Sequence, residues 1–113
     1  MTELSPGVFA EQARAATALL RSLANENRLL ILCHLGSSGE LPVNDLVARV
    51  GLGQSALSQH LARLRDEGLV ASRKAGQHVY YRLCDPRAEA ILALLHDMFC
   101  PELGAALSSI PAK

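Results

Sequence analysis

Between Gly53 and Val70 the chain encodes a helix with two unlike faces, and a strand pair follows directly behind it. Few architectures accept that succession. Leu57, Leu61 and Leu64 fall at i, i+4 and i+7, which is one inward-facing apolar stripe. Gln54, Ser55, Ser58 and Gln59 lie largely on the other side. They are small or neutral polar residues that both donate and accept hydrogen bonds, which suits base edges in a major groove. A helix that is only solvated more often carries Glu and Lys there. Gly68 is the expected C-terminal cap.

The strand pair reads Val70 to Lys74, a turn at Ala75-Gly76-Gln77, and a return over His78 to Leu83 rich in β-branched and aromatic residues. Helix, hairpin, helix in this order predicts a mostly α fold of about five helices with a β-hairpin wing, a winged helix-turn-helix. Either piece alone reads as ordinary surface. Together they predict binding to double-stranded operator DNA. The candidate contacts are Gln54, Ser55, Ser58, Gln59, His60 and Arg63 on the helix, and Arg73, Lys74, Gln77 and Arg82 on or beside the wing. His60 reads equally as a phosphate contact or a packed ring, and His78 is similarly open.

Net charge is zero over 113 residues, which argues against nonspecific coating of nucleic acid. From Gln54 to Leu83, however, five cations face two carboxylates. A basic recognition half on a neutral chain fits a dimer reading one defined operator. Half the residues are hydrophobic, which predicts one globular domain over residues 1–113. No apolar run reaches the length of a membrane span and no signal peptide is apparent, so a cytoplasmic protein is expected.

Residues 1–6 read as a disordered lead and residues 102–113 as a loose tail. Phe9, Ala13, Ala16, Leu20 and Leu23 form a heptad-like stripe, suited to a partner helix or to the chain's own core. Asn25 caps a second helix reaching Leu35, whose run Leu29 to Leu35 is apolar nearly all round and so predicted buried. Gly36 to Gly39 reads as a loop, and Pro42 to Val50 as a third helix. Asp85 and Pro86 open a last helix carrying Ala88, Ile91, Leu92, Leu95 and Phe99 at helical spacing. The terminal helices are the expected dimer contact.

The stretches Leu23 to Leu32, Ser55 to Leu61 and Gly76 to Tyr81, in this order of elements, resemble the ArsR family of small dimeric bacterial repressors. The resemblance covers about Phe9 to Pro101. It implies a repressor whose hold on DNA is weakened by an inducer, without naming the inducer. The arsenic- and cadmium-sensing type carries two thiols in a Glu-Leu-Cys-Val-Cys-Asp-Leu pattern; here Glu40 to Leu46 has Pro42 and Asn44 in their places, neither a soft-metal ligand. The zinc-sensing type begins its last helix Asp-x-His with a second His eleven residues on. Here those places hold Arg87 and Met98.

Cys33, after Leu30-Ile31-Leu32, and Cys100, just before Pro101, resemble the thiol pair of the family's sulfide- and persulfide-responsive branch. That resemblance implies that reactive sulfur species link Cys33 to Cys100 by a disulfide or short polysulfide, releasing DNA. Read without it, Cys33 is equally a small buried hydrophobe. Cys84, beside Asp85, reads as structural or incidental. Thiols of a cytosolic protein are expected to be reduced at rest. The competing sensor is a metal held by Cys33, Cys100, His34 or His96. No catalytic constellation or cofactor motif is visible, so an enzyme is not expected and no cofactor is assigned.

Overall fold

The computed structural model describes residues 5–100, so the expected lead over residues 1–4 and the tail over 102–113 lie outside the described residues. The elements run α1 (Pro6–Leu23), α2 (Glu26–Ser38), β1 (Glu40–Pro42), α3 (Val43–Val50), α4 (Gln54–Asp66), β2 (Val70–Ala75), β3 (His78–Leu83) and α5 (Pro86–Phe99). This is the winged helix-turn-helix expected.

Each helix start has a local cause. The Asn25 side chain accepts from the Arg28 N–H, and the Asp85 carboxylate accepts from the N–H groups of Arg87 and Ala88. Ser5 caps α1 and Pro6 is its first residue, so the expected lead is too long by two residues: Ser-Pro is a helix start, not a disordered end. The helix α4 ends in a Schellman turn. The Gly68 N–H donates to the Arg65 carbonyl and the Leu69 N–H to the Leu64 carbonyl, with Gly68 at φ 78°.

Two expectations fail around Gly36. The helix α2 continues through Gly36-Ser37-Ser38, because its carbonyls find partners as far as Gly39, whose N–H donates to Leu35. Pro42 is not inside α3 but caps it, and closes a short strand, β1, that the sequence reading lacked. The sheet is therefore three-stranded, in the order β1-β3-β2, both pairings antiparallel. The two-residue wing turn places Gly76 at φ 63°, as the primed hairpin turns require.

One cluster of buried side chains holds these elements. Leu57, Leu61 and Leu64 of α4 meet Ile31, Leu32 and Leu35 of α2, Leu46 of α3, Leu41 and Val70 of the sheet, and Ala88 and Leu92 of α5. The inward stripe of α4 is thus as expected. The helix α2 is not buried all round, since Leu30 is exposed and Cys33 and His34 are half-buried. Arg28 is buried, and its guanidinium donates to the carbonyls of Ser22 and Arg21, satisfying the end of α1.

Candidate nucleic-acid interface and paired thiols

The buried leucine stripe of α4 dictates what the helix shows to solvent. Gln54, Ser55, Ser58, Gln59 and Arg63 are all exposed, on one continuous outer surface with Ala56 and Ala62. Gly53 precedes the helix without a side-chain cap, so no cap side chain takes up the first backbone N–H groups at the positive end of the helix dipole. His60 departs from this surface. It is half-buried, and burial first, then the charges of Arg28 and Arg63, hold its pKa below the usual histidine range. Arg63 is exposed but engaged: its Nε donates to Glu67 Oε2 at 3.1 Å. Glu67 also accepts from the Ser22 hydroxyl of α1, so the far end of α4 is tied to the first helix.

The wing separates by face. Residues opposite one another in an antiparallel pair share a face. Leu41, Tyr81 and Ser72 therefore share the core side with Val70 and Leu83, and Glu40, Arg82, Arg73 and Tyr80 share the outer side. Lys74, Gln77 and His78 are exposed at or beside the tip. No hydrogen bond or ion pair of the Lys74 or Gln77 side chain occurs among the described residues. Arg73 differs from both. Its Nε and Nη2 donate to the two carboxylate oxygens of Glu40 at 2.9 and 2.7 Å, and its guanidinium lies 4.7 Å from the centre of the Tyr80 ring. The sequence could not pair Arg73 with Glu40, because β1 was not legible in it.

The thiols are placed by the packing of α2 against α5. Cys33 sits late in α2 beside the core, and Cys100 is the C-cap of α5, its N–H donating to the His96 carbonyl at 2.8 Å. Both are half-buried and unbridged. Burial first, and then the like charge of Cys100, push the Cys33 thiol above its ordinary range. The helices α2 and α5, which carry the two thiols, are in direct contact. Cys84 is elsewhere: exposed, with its thiol donating to the Gly68 carbonyl at 3.5 Å.

His34 is half-buried, and burial, then Arg49, lower its pKa. His96 is half-buried in the last turn of α5. Among the described residues no three His, Cys, Asp or Glu side chains stand close enough to hold a metal ion. No helix among them is long and apolar enough to cross a membrane.

The terminal helices carry a surface that one chain does not cover. Phe9 is 58% exposed and Leu20 55% on α1, while Leu94, Met98 and Phe99 are 58%, 60% and 73% exposed on α5. Leu94 and Met98 form a second stripe on α5, distinct from the buried Ala88 and Leu92 and from Ile91, which packs against the core. Of the residues read at helical spacing on this helix, Ala88 and Leu92 are buried and Phe99 is exposed.

Known proteins share this arrangement. Residues 25–72, which span α2 to the start of the wing, match the model of the bacterial regulatory protein, arsR family. The transcriptional activator HlyU of Vibrio cholerae is 51% identical over 85 residues, 75% of this chain and 78% of that protein. The regulator YgaV of Escherichia coli is 42% identical over 89% of this chain and 100% of its own length. The biofilm growth-associated repressor of Xylella fastidiosa is 34% identical over 81% of this chain and 80% of its own. Reduced HlyU superimposes with a TM-score of 0.78 at 47% identity, covering 81% of this chain and 96% of that structure. The repressor structure from X. fastidiosa gives 0.77 at 32% identity, covering 86% and 98%. By sequence and by fold, this chain belongs to the arsR family of DNA-binding bacterial transcriptional regulators.

Proposed function

We propose that the protein is a homodimeric transcriptional repressor, acting in the cytoplasm, that releases its operator when reactive sulfur species bridge Cys33 and Cys100. The observation that carries this reading is that α2 and α5 pack against each other and each carries one of the two half-buried free thiols. The thiols bridge while the third cysteine stands apart on the wing side.

The chemistry balances with one named oxidant, a low-molecular-weight persulfide. A thiolate of the pair attacks the sulfane sulfur, becomes a protein persulfide and releases the parent thiol. The second thiolate attacks the sulfur bonded to the first cysteine's Cβ, closes the disulfide and expels hydrosulfide. The two protein thiols lose two electrons, and the sulfane sulfur gains them. Burial raises the Cys33 thiol, which disfavours its thiolate and slows whichever step it takes.

In the dimer, Gln54, Ser55, Ser58 and Gln59 read base edges, while Arg63, Lys74, Gln77 and Arg82 meet phosphates. The exposed stripes of α1 and α5 form the interface. A bridge ties α5 to α2 and shifts that interface. Two recognition helices must stand about 34 Å apart to meet successive half-sites, so a small shift lowers affinity.

Fluorescence anisotropy on the promoter upstream of the protein's own gene tests this. Reduced protein should bind, glutathione persulfide should release it, and dithiothreitol should restore binding. Cys33→Ser and Cys100→Ser should bind and resist release, whereas Cys84→Ser should behave as wild type. Unchanged binding after confirmed thiol modification would refute the switch. Release by a stoichiometric metal from fully reduced protein would replace it with a metal sensor.

A further inference from the structure

The guanidinium of Arg73 crosses the whole sheet. Arg73 lies on β2 opposite Tyr80 of β3, and Glu40 lies on β1 opposite Arg82 of β3. The side chain therefore starts on one edge strand, passes over the Tyr80 ring at 4.7 Å and reaches a carboxylate on the other edge strand. Its Nε and Nη2 are engaged together, in the side-on bidentate geometry that a phosphate would otherwise occupy. Glu40 in turn is held below the usual carboxylate range by that hydrogen bond first, so it stays charged at any physiological pH.

The far end of this clamp is not an arbitrary anchor. Leu41, between Glu40 and Pro42, is buried in the core, and Pro42 leads directly into α3 and the turn to α4. The near end adjoins the wing tip, Lys74 to Val79. A two-stranded hairpin on its own is a marginal structure in water. The clamp, with the short β1 pairing, joins the wing to the part of the core that also seats the recognition helix.

We propose that Arg73 is a positioning residue and not a phosphate ligand: through Glu40 and Tyr80 it holds the wing tip at a set height beside α4, so that Lys74 and Gln77 reach the DNA backbone. This rests on the reading of α4 and the wing as the operator-binding surface. Electrostatics alone demand the opposite of what positioning demands at Glu40. Removing a carboxylate beside a polyanion, and freeing an arginine, should tighten binding. Loss of a clamp should weaken it.

The test measures operator affinity against salt for wild type, Arg73→Gln, Glu40→Gln, the exchange Glu40→Arg with Arg73→Glu, and Lys74→Ala as a reference for a lost phosphate contact. The clamp predicts that both single Gln variants lose a similar affinity, about threefold to tenfold for an exposed bidentate pair with a stacked ring. It predicts a salt slope equal to wild type for both, recovery in the exchange, and a lowered slope for Lys74→Ala alone. Tighter or unchanged binding by Glu40→Gln, or a slope lowered by about 0.9 per lost contact in Arg73→Gln, would overturn it. Amide hydrogen exchange of the free protein gives a readout that needs no DNA. Protection of Lys74 to Val79 should fall in both Gln variants, and unaltered protection would overturn the clamp even if the operator reading failed.

Discussion

Replacing Asp85 by Ala removes the single group that starts α5, the helix that ends at Cys100. Its Oδ1 accepts from the Arg87 N–H at 2.8 Å and the Ala88 N–H at 3.4 Å, and both oxygens face the Arg87 guanidinium at 3.1 to 3.3 Å. Asp85 is buried, so water cannot readily replace the lost acceptor. Removing a cap of this kind costs about 1 kcal/mol. The Arg87 pair adds little, because the arginine is 69% exposed. For a chain of this size 1 kcal/mol corresponds to a fall of about 4 °C in Tm, measured at fixed protein concentration because a dimer's Tm depends on it. The pH dependence has a definite sign. The Arg87 hydrogen bond first, with the backbone bonds, holds the Asp85 carboxyl below its ordinary value. The charge-dependent part is therefore fully present above about pH 4, the unfolded value, and is lost as pH falls through the lower folded pKa. Scanning calorimetry from pH 7 downward should show the wild-type advantage over Asp85→Ala shrinking below about pH 4. An Ala variant as stable as wild type at pH 7, or a gap that widens in acid, would refute the capping argument.

Leu61→Ala truncates a buried side chain where α4 meets α2 and should destabilise by about 2–5 kcal/mol in denaturant titration. Iodoacetamide should label exposed Cys84 before half-buried Cys33, whose thiolate burial disfavours, and peptide mapping of a time course checks the order. Met98→Asp and Leu94→Asp place charges on an exposed apolar stripe that the fold of one chain does not need. Sedimentation should therefore find each variant folded and with weakened self-association.

What the sequence made legible follows from how local each signal was. The leucine stripe of α4, the Asn25 and Asp85 caps and the Gly76 turn each depend on residues within one or two turns of one another, and each appears as read. The strand β1 was not legible because three residues ending in proline carry no period. With it went the Arg73 to Glu40 pair, formed across 33 positions of chain. Gly36-Ser37-Ser38 has loop composition, yet it stays helical because the helix end is stabilised further on, at Gly39. The burial of Arg28 also gave no local sign: its partners are carbonyls at the end of another helix. For the sensor, the sequence supplied two cysteines and their contexts. Only the packing of α2 on α5 relates the two helices that carry them.

The most direct test of the cysteine switch is peptide mapping by mass spectrometry of the protein treated with glutathione persulfide while bound to operator, followed as DNA is released. The account predicts a peptide pair joined through Cys33 and Cys100 of the same chain, by two or more sulfurs, accumulating in step with release and absent after dithiothreitol. Release in step with a Cys84 linkage, or with no Cys33–Cys100 linkage at all, would contradict it.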